Sequence, residues 1–98
     1  MSELRFDWDP AKAAANRRKH GVSFEEAQSV FWDDLALFDD DPDHSAEEDR
    51  FLLLGLSSRP RLLVVVHCFR VTADVIRIIS ARRATPAERA RYSERWQR

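Results

Sequence analysis

Leu4, Phe6 and Trp8 alternate with Arg5, Asp7 and Asp9, the period-two pattern of a short half-buried strand. Asp9-Pro10 then marks a helix start. Asp can accept hydrogen bonds from the free amides of a first turn, and Pro fits there because the N–H it lacks would have no partner. The spacing predicts a helix from Pro10 to about His20, with Gly21 supplying the left-handed residue that ends it. Ser23-Phe24-Glu25-Glu26 is a capping box, in which side chain and backbone amide satisfy each other across one turn. Phe24, Ala27, Val30 and Phe31 follow at helical spacing, so a second helix faces the core to about Phe31.

Leu35-Ala36-Leu37-Phe38 reads as a strand running into acidic residues. Three further runs, Arg50 to Leu56, Leu62 to Phe69 and Val75 to Ala81, have strand character. Ser57-Ser58-Arg59-Pro60 and Val71-Thr72-Ala73-Asp74 break them at hairpin intervals. Thr85-Pro86-Ala87-Glu88 is a second capping box and opens a last helix, whose Tyr92 and Trp96 are placed to dock on the sheet. The order β-α-α-β-β-β-β-α predicts one α+β domain over residues 1–98, a compact antiparallel sheet of about four to five strands flanked by helices. Neither a repeat nor a linker interrupts it.

Composition narrows the function classes. The 98 residues are 44% hydrophobic and 34% charged, with two Gly and four Pro, which excludes collagen-like, low-complexity and disordered chains. The longest apolar run, Leu62 to Val66, is far short of the ~20 residues of a membrane span. The first residues lack the basic and apolar regions of an export signal. One cysteine, Cys68, cannot form an internal disulfide and sits in an apolar strand, as a buried structural thiol does. These features read as a cytoplasmic protein without a membrane partner.

Charge adds more. Residues 1–49 carry five Lys/Arg against 14 Asp/Glu, and residues 50–98 carry 11 Arg against three acids, a split that predicts two surfaces with different partners. Fourteen of the 16 basic residues are Arg, the side chain that grips phosphate with two parallel hydrogen bonds. Codon bias with ordinary surface ion pairs is the plainer explanation. Two glycines cannot build a nucleotide-binding loop, and neither a nucleophile elbow nor zinc-ligand spacing occurs, so no cofactor and no metal is expected.

Several basic residues fall where strands would hold them rigidly. Arg77 interrupts an apolar run, and a guanidinium there needs a carboxylate or an open, wet concavity. A tight hairpin at residues 71–74 would set His67 near Arg77 on one face. Arg50, Arg70 and Arg82 stand at strand ends, where they can converge on a rim. Lys19-His20 closes the first helix, where the dipole favours cations. Phosphate-binding cations with one or two titratable bases suit metal-free RNA cleavage. A base takes the 2′-hydroxyl proton, arginines stabilise the phosphorane and an acid protonates the leaving oxygen. DNA, without that hydroxyl, is not cut.

The ordered set Phe6-Asp7-Trp8-Asp9, Lys12, Asn16, Lys19-His20-Gly21-Val22, Phe24-Glu25-Glu26-Ala27, Phe31 and Asp33 resembles the opening of the BrnT family, toxins of bacterial type II toxin–antitoxin pairs. The pattern resumes at Glu48, Arg50 and Gly55 and closes with Ile76 to Thr85, Glu88-Arg89 and Tyr92. The resemblance implies a RelE-like ribonuclease fold and a metal-independent endoribonuclease that slows translation and growth. The implied partner is a BrnA-type ribbon-helix-helix antitoxin, with which the toxin represses its own promoter. Operator DNA would be touched only through the antitoxin, in a dimer or heterotetramer. Carried over, the resemblance makes Lys19 or His20 the general base and sets Arg50, Arg77 and Arg82 around the scissile phosphate, with His67, Arg70 and Tyr92 in second rank. Glu88 belongs to the capping box. The acidic stretch from Asp39 to Asp49 stands outside this pattern, to repel RNA or bind a basic part of the antitoxin. A non-catalytic antitoxin- or nucleic-acid-binding module, or an inactive remnant held by its partner, remains as an alternative.

Overall fold

A computed structural model describes residues 4–41, 50–70 and 74–95. Its elements are β1 (Arg5–Asp7), α1 (Pro10–His20), α2 (Phe24–Ser29), a 3₁₀ turn (Val30–Trp32), β2 (Leu37–Asp40), β3 (Phe51–Leu56), β4 (Leu62–Arg70), β5 (Val75–Arg83) and α3 (Pro86–Glu94). The helix starts and the end of α1 fall where the sequence predicts. Asp9 accepts from the Ala11 amide at 2.9 Å, and Gly21 takes φ 70° while donating its N–H to the Arg17 carbonyl. Ser23 accepts from the Glu26 amide and caps α2, but the Glu26 carboxylate bonds Arg61 and Ser57 instead of closing the expected box, whereas Thr85 with Glu88 forms the reciprocal capping box of α3.

The expected second helix is α-helical only to Ser29 and tightens into the 3₁₀ turn. The expected strand at Leu35 begins at Leu37 instead. Asp33 is the reason: its carboxylate accepts the Leu35 amide at 3.0 Å and its carbonyl accepts the Ala36 amide, which folds 33–36 into a turn. Trp96, residues 71–73 and the acidic residues 42–49 lie outside the described residues.

The five strands form one sheet in the order β1-β5-β4-β3-β2. β2 through β5 pair antiparallel, while β1 joins the edge of β5 in parallel, a pairing that the helical stretch between them allows. Alternation along β4 sorts the two faces. Leu63 and Val65 pack with Val22, Phe24, Ala27 and Val30 under α1 and α2. Leu62 and Val64 pack with Leu54 and Tyr92 under α3. Among the described residues, no helix is long and apolar enough to cross a membrane.

The edge strands are shorter than the strands they flank, and side chains supply what they leave open. β1 pairs only with Val75–Arg77, so the upper edge of β5 lacks a strand. Buried Asn16 of α1 fills that place: its Oδ1 accepts the Ala81 amide at 3.1 Å, and its Nδ2 donates to the Ala81 carbonyl at 2.8 Å and to the Val22 carbonyl at 3.0 Å. β2 stops opposite Leu54, and Asp33 Oδ2 accepts the next open amide of β3, Leu56, at 2.8 Å. The Tyr92 hydroxyl donates to that same oxygen at 2.6 Å, so one carboxylate ties the 3₁₀ turn, β3 and α3 together. Gly55 permits this approach. A Cβ there would lie 3.0 Å from each of Ala36 Cβ, Asp33 Oδ2 and Val30 Cγ1.

Replacing Asn16 by Ala strands two carbonyls and one amide in the interior, each costing about 1–3 kcal/mol when unpaired. Urea denaturation of Asn16→Ala should show a loss of about 3 kcal/mol. A loss below about 0.5 kcal/mol would mean that water or a backbone shift takes over the role.

Candidate functional site

Strand alternation decides which cations meet. Arg77 faces Cys68 across the β4–β5 ladder, and Arg50 directly precedes Phe51, which pairs with His67. Arg50 and Arg77 therefore lie on the α3 side of the sheet with Cys68 between them, about 10 Å apart at two strand spacings. The row extends to Asp7 of β1, whose carboxylate accepts Arg77 Nη1 at 3.1 Å. Arg77 thus has the carboxylate that its mid-strand position calls for. Cys68 is buried.

Arg82 lies on the same face, opposite Val64, about 13 Å along β4 from that row at ~3.3 Å per residue. Its guanidinium forks onto Glu88 at 2.8 and 2.9 Å. Glu88 Oε1 also accepts the Thr85 amide at 2.8 Å. The Arg82 hydrogen bonds hold the Glu88 carboxyl down at about 2, against burial that pushes it up. Arg82 is raised in turn, chiefly by its hydrogen bonds to Glu88. The pair joins the end of β5 to the start of α3, so Glu88 has the structural role assigned to it, and Arg82 shares it.

Two expectations about convergence need correction. His67 does not lie beside Arg77. The loop closes with Arg70 opposite Val75, which sets His67 opposite Ile78 and turns it to the helix side. There it is 4% exposed, its Nδ1 lies 3.2 Å from the Val65 carbonyl, and Phe31 packs edge-on at 4.8 Å. Burial pushes its pKa down, against the Val65 hydrogen bond, so the ring is neutral near pH 7. Nor do Arg50, Arg70 and Arg82 meet at one rim. Arg50 opens β3 and Arg70 closes β4 at one end of the sheet, while Arg82 stands near the close of antiparallel β5 at the other.

Lys19 and His20 occupy the last turn of α1, Lys19 exposed and His20 half-buried. The partners of Arg77 and Arg82 among the described residues are Asp7 and Glu88, not these two. Their surroundings are set by Arg61, which opens toward α1 from the start of β4. Arg61 Nη2 donates to the Gly21 carbonyl at 3.2 Å, and Nε to Glu26 Oε2 at 2.9 Å, with a second bond from Nη2 to Glu26 Oε1. Ser57 donates to the same carboxylate at 2.7 Å. The Arg61 hydrogen bonds hold buried Glu26 below the usual carboxylate range, against its desolvation.

Sequence reasoning missed what lies next to this cluster. A concavity of about 450 Å³ opens between the start of β4, the end of β5 and α3, lined by Pro60, Arg61, Arg83, Arg89, Tyr92 and Ser93. Arg83 and Arg89 are exposed there, and neither makes an ion pair among the described residues. The arginine surplus of the second half was the available signal. The convergence itself joins a turn, a strand end and a helix, and only the tertiary fold shows it. The five residues singled out from the sequence thus divide: Arg82 stands at this end of the sheet, as does the close of α1 with Lys19 and His20, and Arg50 and Arg77 stand at the far end.

The Glu88 pKa sets a pH test. A carboxyl lowered on folding adds stability that is fully present above its unfolded value near 4.5 and is lost as pH falls toward about 2. Thermal melts of wild type and Glu88→Gln should differ most above pH 5 and converge by about pH 2. A gap that stays constant over that range would show that the ion pair does not stabilise the junction.

Residues 8–88 match the profile of a family described as "Ribonuclease toxin, BrnT, of type II toxin-antitoxin system". No curated protein sequence matches the chain. Among solved structures, the crystal structure of the Brucella abortus ribonuclease toxin BrnT superposes with a TM-score of 0.62 at 22% identity, covering 85% of this chain and 99% of that one. That likeness supports the fold, and the profile spans most of the sequence. The chain belongs to the BrnT family of ribonuclease toxins of type II toxin–antitoxin systems.

Proposed function

We propose that this toxin cleaves RNA without a metal ion, by attack of the 2′-oxygen on the adjacent phosphorus. The observation that carries the reading is the set of guanidinium groups at one end of the sheet. Arg83 and Arg89 have no acidic partner among the described residues and line a concavity large enough for a phosphate and its sugar. Arg61 and Arg82 stand beside them, each neutralised by its own carboxylate.

In this reading Lys19 or His20 takes the 2′-hydroxyl proton. The 2′-oxygen bonds to phosphorus, the bond from phosphorus to the 5′-oxygen breaks, and that oxygen leaves with a proton from water, which the proton held by Lys19 or His20 then replaces. The products are a 2′,3′-cyclic phosphate and a free 5′-hydroxyl. Guanidinium groups stabilise the extra negative charge of the phosphorane, which is where fixed donors contribute most. Arg82 serves the phosphate with the N–H groups that Glu88 leaves over, while Arg77 and Arg50 meet the strand farther along the same face. Asp7 holds the Arg77 fork in place for that contact.

The wider expectations belong to the same proposal. One domain acts in the cytoplasm and slows translation and growth. A BrnA-type ribbon-helix-helix antitoxin neutralises it in a dimer or heterotetramer, and that antitoxin makes the operator contact through which the pair represses its own promoter. Membership of a type II toxin family supports an antitoxin partner.

The test uses purified, antitoxin-free protein, a labelled RNA and its all-deoxy counterpart, in EDTA. RNA-only cleavage with 2′,3′-cyclic ends is the expected result. For binding to a non-cleavable 2′-O-methyl RNA, Arg83→Ala/Arg89→Ala should flatten the plot of log K against log salt by about 1.4, since each phosphate neutralised on a single strand adds ~0.7 to the slope. Failure of the folded protein to cut either naked RNA or RNA on translating ribosomes would overturn the catalytic reading in favour of a binding module.

A further inference from the structure

The opposite end of the molecule carries a surface of different chemistry. On the helix side of the sheet, past the 3₁₀ turn, an apolar groove of about 560 Å³ is lined by Leu4, Phe31, Phe38, Phe51, His67 and Phe69. The exposed large hydrophobic residues among those described are Leu4 at 47%, Trp32 at 60%, Phe38 at 62% and Phe69 at 45%, and all but Trp32 line this one groove. Trp32 stacks obliquely on Phe6 at 5.6 Å, and Phe6 in turn meets the groove-lining Phe31 edge-on at 5.1 Å. Phe38 stacks on Phe51 at 5.1 Å, which fixes one wall, and His67 closes the floor. Contiguous exposed aromatics around a concavity mark a protein-binding surface, since such rings are the anchors around which interfaces gain most of their affinity.

Charge selects the occupant. Asp40 lies two residues after Phe38 on the same side of β2, whereas Asp39 turns to the α3 side and pairs with Arg91 at 3.6 Å. Asp34 follows Asp33, which itself lines the groove. Asp34 and Asp40 are exposed and make no ion pair among the described residues. A phosphate backbone would be repelled by this rim, whereas Lys and Arg side chains would be drawn to it.

We infer that the groove is the docking site for the protein partner of this toxin, occupied by a segment that inserts two or more large apolar side chains and sets Lys or Arg against Asp34 and Asp40. The inference rests on the family's antitoxin partnership and assigns it a surface away from the arginine concavity. RNA then takes the arginine end and the α3 face of the sheet, and the partner takes the groove on the opposite face.

Three fluorescein-labelled peptides of equal length test this by anisotropy: one with Leu and Phe at helical spacing flanked by Arg, one with each Arg replaced by Glu, and one with each Leu and Phe replaced by Ser. Wild type should bind the first at least tenfold more tightly than either other. Phe38→Ser/Phe69→Ser and, separately, Asp34→Asn/Asp40→Asn should each weaken that binding tenfold or more. These exposed positions allow folding to be checked by melting, and RNA cleavage should be unchanged. Failure of the first peptide to bind, or equal binding by wild type and variants, would overturn the inference. So would loss of 2′-O-methyl RNA binding in Phe38→Ser/Phe69→Ser, which would make the groove an RNA platform. A wild-type dimer that becomes monomeric in that variant would also overturn it, by making a second copy the occupant. A toxin that cuts no RNA yet binds the peptide in this pattern would fail the catalytic reading alone.

Discussion

A nine-residue strand bordered by one of three leaves backbone amides and carbonyls facing nothing, and buried groups of that kind are too costly to leave unpaired. How that edge is closed governs much else in the fold. Asn16 presents both halves of an amide to Ala81 and stands in for the missing strand. Asp33 does the same for Leu56 on the opposite flank. Each is a side chain fixed by a helix or turn, so the closure also sets where α1 ends and where α3 lies. The position of Lys19 and His20 follows from the first, and the position of Tyr92 from the second.

From that frame the charges fall into place. α1 ends, β4 begins, β5 ends and α3 begins at one end of the sheet, and each of these junctions carries arginine or lysine. Two buried or half-buried acids, Glu26 and Glu88, hold Arg61 and Arg82 there and leave Arg83 and Arg89 without partners among the described residues. Fixing some guanidinium groups while leaving others open is what a phosphate site needs, because a pre-set donor costs little reorganisation when charge develops. The far end carries Arg50 and Arg77 on the α3 side, and aromatic rings with Asp34 and Asp40 on the other.

Local signals were legible in the sequence. Asp9-Pro10, Ser23 to Glu26, Thr85 to Glu88 and Gly21 each encode a helix end within four residues, and each end falls where read, although Glu26 gives its carboxylate to Arg61 and Ser57 and leaves its box half formed. The alternating strands and the α+β order were legible as well. What was hidden depends on residues far apart in the chain. The parallel seat of β1 needs β5, 70 residues on in the Phe6 to Ile76 pairing. The loop length that sends His67 to the helix side moves it by a single register step, which no hydrophobic pattern resolves when both faces are apolar. The Arg61–Arg83–Arg89 concavity joins three segments with ordinary local roles.

On this reading RNA meets the arginine end and leaves the aromatic groove alone. An NMR titration of the ¹⁵N-labelled toxin with non-cleavable 2′-O-methyl RNA checks both halves of that statement at once. Amide shifts should cluster at residues 17–21, 59–62 and 82–90, with smaller shifts around Arg50 and Arg77 and little change at Phe38, Asp40 and Phe69. Shifts concentrated at Phe38 and Phe69, with the arginine end silent, would contradict it.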